Sequence, residues 1–148
     1  MGLYLEQVIR YVNEYLDALG CAAITSSMVS NYVKRKIIPG PTKKAYGAEA
    51  IAYLIFVSFA KTVMSMDDIR LLEEVQRETY TSEIAYDYFC NEFENILRMI
   101  FEGKPPAEMI DIAHTSTKNL LNSALLSLVH KIYLETCFKE LRSSRASH

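Results

Sequence analysis

Apolar residues recur along most of the chain at spacings of three and four, the period of helices with one buried face. Leu5, Val8, Ile9, Val12, Leu16 and Leu19 predict a helix over 3–19, and Gly20 stops it. After the link 21–24, Thr25, Ser26 and Ser27 offer N-cap chemistry. Val29, Val33 and Ile37 then repeat every four residues and predict a short second helix over 25–37, with Val29 and Val33 facing inward. Pro39, Gly40 and Pro41 turn the chain, because proline lacks an amide donor and restricts the residue before it. The basic stretch 42–47 is either a tight two-stranded wing or a loop, and the pattern leaves both open.

A third helix is predicted over 48–63. Ile51, Leu54, Ile55, Val57, Phe59 and Val63 cover more than one of its faces, which makes it the central helix of the core. Ser65 followed by Asp68 opens a fourth helix with Ile69, Leu72 and Val75 inward, and its early acids Asp67 and Asp68 suit the helix dipole. Thr81, Ser82 and Glu83 start a fifth. Tyr86, Phe89, Phe93, Ile96, Leu97, Ile100 and Phe101 mark its buried aromatic face, and Gly103 ends it. Pro105 and Pro106 suit the start of a last helix over 107–141, broken near 114–117. Leu121, Leu125, Leu128, Ile132 and Tyr133 form its strongest stripe, and 142–148 reads as a frayed tail. The fold class is therefore all-α with at most one small β element, divided into 1–80 and 81–148.

At 148 residues, half of them hydrophobic, the chain can bury a core without disulfides or metals. Cys21, Cys90 and Cys137 lack metal-ligand or redox spacing and read as buried reduced thiols. The N-terminus lacks a leader pattern and the longest apolar run, 50–60, is too short to span a bilayer, so no membrane contact and a cytoplasmic location are expected. No phosphate loop, nucleophile elbow or Cys/His arrangement is present, so neither an enzyme nor a cofactor site is expected. Glu92 with Glu94, and Asp111 with His114, are the nearest approach to acid/base or metal pairs, and neither belongs to a larger constellation. The aromatic stripe of the fifth helix fits a core better than a ligand pocket, and no residue pattern names a small-molecule effector.

The net charge is −2, yet no acid occurs between Asp17 and Glu49, where Lys34, Arg35, Lys36, Lys43 and Lys44 all fall. A local basic surface on a mildly acidic body is an electrostatic footprint for a polyanion. A helix, a tight link, a short polar-faced helix and a basic turn is the order of a winged helix-turn-helix, whose second helix enters the major groove. Ser27, Ser30, Asn31 and Lys34 project outward on that reading. Asn31 can read adenine and the others can reach phosphates or base edges.

Residues 29–39, V-S-N-Y-V-K-R-K-I-I-P, are similar to the recognition-helix signature of MerR-type regulators, I-R-Y-Y-E-R-x-G-L-[LI]-x-P. Tyr46 stands where that family has the tyrosine closing its wing, and residues 65–72, S-M-D-D-I-R-L-L, resemble its S-L-x-E-I-x-x-[LF]. The chain departs from the pattern at Ser30 and Asn31, where the family has arginine and tyrosine. It departs again at Gly47, in place of the wing arginine, and at Lys36, in place of the glycine after the helix. A closer resemblance is to the bacterial domain of unknown function 1836. Residues 3–8 resemble its L-Y-M-D-Q-V, 25–41 its L-T-x-x-M-[IV]-N-N-Y-x-K-x-x-[IL]-[IL]-P-x-P, and 43–46 its K-K-x-Y.

The MerR resemblance implies a transcription regulator binding duplex DNA through the helix 25–37 and the turn 39–47. Its contacts would be Ser27, Ser30, Asn31, Lys34, Arg35, Lys43, Lys44 and Tyr46. A homodimer joined through Leu121, Leu125, Leu128 and Ile132 is expected, because one such head buries too little surface to select a genomic site. The alternative is a helical interaction or adaptor module that keeps the head without binding DNA, as the departures allow.

Overall fold

The computed structural model describes residues 2–105, 112 and 115–147. Among these, regular structure runs in the order β1 (Leu3–Tyr4), α1 (Leu5–Ala18), α2 (Ser26–Lys34), β2 (Ala45–Tyr46), α3 (Ala48–Ala60), α4 (Met66–Thr79), α5 (Ser82–Glu102) and α6 (Ser116–Ala146). The chain is thus mostly helical with one very small sheet. It divides into two units, Met1–Glu83 and Ile84–His148.

In the first unit, α1 buries Val8, Val12 and Leu16 and packs on α2 and α3. Each of these side chains contributes roughly 1.5–3 kcal/mol through removal from water. The helix starts two residues later than the pattern predicted. Leu3 and Tyr4 pair antiparallel with Tyr46 and Ala45 instead, and the Tyr4 amide donates to Gln7 Oε1 at 2.9 Å. At the other end, Gly20 takes a left-handed conformation (φ 71°), so that its amide reaches Asp17 O at 3.0 Å and the Cys21 amide reaches Leu16 O at 2.7 Å. These two bonds form a Schellman cap.

Helix α3 buries Ala50, Tyr53, Leu54, Val57, Ser58, Phe59 and Ala60, more than one face, as its pattern implied. It ends at Ala60, and Val63 falls in the following turn, where its amide bonds Ala60 O. Helix α4 is capped by Ser65, whose Oγ accepts from the Asp68 amide at 3.1 Å. Its inward face is not purely apolar. Ile69 and Leu72 are buried together with Glu73 and Gln76, while Val75 is only half-buried.

The second unit contains α5 and α6. Helix α5 buries Tyr88, Asn95 and Ile96, whereas Tyr86 and Phe101 of the expected aromatic face are largely exposed. Phe89 and Phe93 stack on each other at 5.7 Å, and Gly103 ends the helix with φ 66°. The first part of the expected last helix lies outside the described residues. From Thr115, which caps it by accepting from the Lys118 amide at 3.1 Å, α6 runs unbroken to Ala146, so most of the expected frayed tail is helical.

Candidate functional site

The acid-free segment folds into α2 and the turn that follows it. Thr25 caps α2 by accepting from the Met28 amide, and the link before it is clamped by Asn13, whose side chain accepts from the Ile24 amide at 2.8 Å and donates to Ile24 O at 3.2 Å. Both backbone groups of Ile24 are thereby satisfied from α1, which fixes where α2 begins. Val29 and Tyr32 are buried and Val33 is half-buried against Gly40, so Tyr32 replaces Val33 as the second core anchor of α2. The opposite face carries Ser27, Ser30, Asn31 and Lys34, all exposed, with no acid on the helix.

Helix α2 stops at Lys34, three residues before the predicted end. Lys36 enters the left-handed region (φ 60°), its amide bonds Val33 O at 3.0 Å, and the Ile37 amide bonds Tyr32 O at 2.9 Å. This is the same Schellman cap that ends α1, with lysine in the place of glycine. Ile37 and Ile38 then bury themselves and turn the chain back toward the core.

The stretch 42–47 is neither a free loop nor an extended ribbon. Thr42 and Ala45 exchange both backbone bonds, at 2.9 and 3.0 Å, across a two-residue turn whose central residues Lys43 and Lys44 have φ 51° and 68°. Positive φ at both central positions is the type I′ turn, normally built from asparagine and glycine. Here it presents two exposed lysines. Lys36, Lys43 and Lys44 are the only non-glycine residues with positive φ among the described residues.

Two residues near this surface escaped the sequence reading. Arg35 Nη2 lies 3.0 Å from Asp67 Oδ1, so an acid from the first turn of α4 faces the basic segment. Asp67 is 89% exposed, and an ion pair so open to water stabilises by only about 0–1 kcal/mol. Arg35 can therefore leave it at little cost. Lys61, at the C-terminal cap of α3, brings its Nζ to 3.8 Å from Met28 Sδ and adds a cation beside α2. Both lie more than thirty residues from α2's partners in sequence, and local pattern gave no sign of them. Glu49 Oε1 accepts from Ser82 Oγ at 2.8 Å.

Tyr46 is the one expected contact that the fold withdraws. Its side chain is 6% exposed and its backbone pairs with Leu3, so it serves the core beneath the turn. Among the expected subunit contacts, Leu125, Leu128 and Ile132 are buried within the single chain and Leu121 is half-buried, so three of the four are already covered.

A polar cluster lies apart from this surface. Glu73 is 2% exposed, and neither carboxylate oxygen has a hydrogen-bond partner. Burial pushes its carboxyl up to about 8, with Arg77 pulling weakly the other way. Nearby on α4, Gln76 Oε1 accepts from Tyr53 OH at 2.7 Å and its Nε2 donates to Tyr80 O at 3.3 Å, while the Arg77 guanidinium sits 4.8 Å over the Tyr53 ring.

The weaker pairs of the sequence do not gather into a site. Glu94 pairs with Arg98 at 3.1 Å, and Asp111 and His114 lie outside the described residues. No three His, Cys, Asp or Glu among the described residues are placed to hold a metal ion. No disulfide forms among the cysteines, of which Cys90 is exposed and Cys21 and Cys137 are half-buried, less deeply placed than expected. No helix among the described residues is long and apolar enough to cross a membrane.

A family model described as Domain of unknown function (DUF1836) matches residues 1–93. No curated protein and no solved structure matches the chain.

Proposed function

The chain belongs to the DUF1836 family, and on that premise we propose that its first unit is a winged helix-turn-helix that binds duplex DNA as part of a transcription regulator. The observation that carries this reading is the concentration of backbone strain on lysine. A left-handed residue other than glycine costs roughly 1–2 kcal/mol, and among the described residues all three such residues are lysines within an acid-free segment. Strain that persists at exposed positions points to a use for the side chains there. Cations on a cap and a turn tip suit phosphates on either side of a groove.

In this reading α2 is the recognition helix. Ser27, Ser30 and Asn31 face the base edges, Lys34 and Lys36 the backbone beside them, and Lys43 and Lys44 a further stretch of backbone. Arg35 exchanges Asp67 for a phosphate, a trade that the exposure of Asp67 makes inexpensive. Tyr46 supports the turn from within instead of touching DNA.

Asn31 is assigned the base-reading role, since it lies on the outward face and can pair with adenine in a bidentate way. Selection from a random duplex pool should therefore enrich a motif with the parent chain. Asn31→Ala should relax it at one base pair, by on the order of 1–3 kcal/mol. An unchanged motif would remove Asn31 from base reading, and no enrichment by the parent would count against the regulator.

The adaptor reading is favoured by one observation. Asp67 interrupts the basic segment at Arg35, as a surface for an uncharged or mixed protein partner would. It predicts that Asp67→Asn leaves duplex binding absent, whereas the DNA reading predicts tighter binding.

A further inference from the structure

Helix α6 carries apolar residues on two opposite sides. One side is spent within its own unit, where Ala124, Leu125, Leu128, Val129 and Ile132 are buried. The other follows a different register. Ser127, His130, Leu134, Cys137, Leu141 and Ser144 recur at alternating steps of three and four, the seam of a coiled coil. Leu134 and Leu141 are 49% and 51% exposed, and Phe138 beside them is 48% exposed. The seam is polar at its two ends, Ser127 and His130 at one and Ser144 at the other, and apolar between them. From Ser127 to Ser144 it is about 26 Å long.

The residues flanking this seam select the occupant. On one flank stand Leu126, Tyr133 and Glu140, and on the other Lys131, Phe138 and Arg145. In a parallel pair of identical helices, each residue of the first flank meets the residue five positions later on the partner. Leu126 then lies along the stem of Lys131, Tyr133 meets Phe138, and Glu140 meets Arg145, each twice by symmetry. All three pairings are favourable: apolar on aliphatic stem, aromatic on aromatic, acid on base. An antiparallel pair sets each flank against its own copy, basic against basic. It also removes the Glu140–Arg145 pairs.

We propose that this outer face of α6 joins two copies of the chain in a parallel coiled coil, with Leu134, Cys137 and Leu141 at its centre. The second copy fits better than an unrelated partner because the flanks complement themselves without any outside charge. The interface is distinct from Leu125, Leu128 and Ile132, which remain inside each subunit. It does not depend on what the first unit binds.

Light scattering on the full chain at tens of micromolar should give a dimer. Leu134→Glu with Leu141→Glu should give a monomer of unchanged far-ultraviolet circular dichroism, since both side chains are exposed in the single chain. For orientation, a variant carrying Cys21→Ser and Cys90→Ser retains Cys137 alone. In a parallel pair Cys137 faces its own copy, so copper-phenanthroline oxidation should convert most of the protein to a covalent dimer. A monomeric parent, or a dimer that survives the double glutamate variant, would overturn the interface. A dimer dissociated by those glutamates but not cross-linked through Cys137 would overturn the parallel arrangement.

Discussion

Lysine is a poor choice for a left-handed backbone position, and this chain places it there three times. At Lys43 and Lys44 the type I′ turn would be better served by asparagine and glycine, whose conformations match it without steric cost. Lys43→Asn with Lys44→Gly should therefore stabilise the fold by roughly 1 kcal/mol or more. The same change should weaken duplex binding at low salt by removing two phosphate contacts. Chemical denaturation and fluorescence anisotropy on the same samples would check both directions, and a loss of stability would contradict the claim that the turn is strained. The outward row Ser27, Ser30, Asn31 and Lys34 was legible from spacing, because helical period fixes which side chains share a face. That Lys36 stands in a glycine's place was also visible. Its left-handed conformation was not, since that depends on where α2 stops and on the burial of Ile37 just after it. Lys61 and Asp67 reach the site only through tertiary packing, which no local pattern encodes.

Apolar period locates the helices themselves, and sequence and structure differ where apolar period and burial part company. In α5 the aromatic spacing predicts a buried face, yet burial needs a neighbour on every side, and Tyr86 and Phe101 stay largely exposed. In α4 the inward face holds Glu73, four residues after Ile69 and so on the same side of the helix, but a glutamate is expected on the surface unless something forces it in. Its consequence is a stability that depends on pH. In the unfolded chain the carboxyl titrates near 4.5, whereas in the folded chain burial holds it protonated to about 8. Below 4.5 both states carry the proton. Between 4.5 and 8 only the folded state keeps it, so stability falls as pH rises through that window, by up to a few kcal/mol, and above it no further loss occurs. Glu73→Gln should flatten this slope and be the more stable protein at pH 8. Urea unfolding of both proteins from pH 5 to 8 measures it, and parallel curves would mean that Glu73 ionises freely in the folded state.

The chain combines a unit with a mixed helical core and a small sheet, Met1–Glu83, with a second unit, Ile84–His148, whose described residues form α5 and α6. The first accounts for the basic surface, and the second for a helix with apolar residues on opposite sides. The apolar stripe from which the sequence suggests a subunit contact, Leu125, Leu128 and Ile132, is spent on the core of the single chain. We propose that the exposed lysines and Arg35 of the first unit neutralise phosphates. Counterion release makes the affinity of such a surface fall linearly with salt on a logarithmic scale, with a slope of about −0.9 for each phosphate contacted on duplex DNA. The decisive measurement is anisotropy of a labelled duplex, taken from the parent's enriched sequences or from mixed genomic fragments, titrated across a salt series. The parent should bind with a steep slope, and the variant carrying Lys34→Ala, Arg35→Ala, Lys43→Ala and Lys44→Ala should bind more weakly with a slope shallower by about 3–4. Equal affinity and equal slope for the two proteins, or no binding by the parent at low salt, would contradict the account.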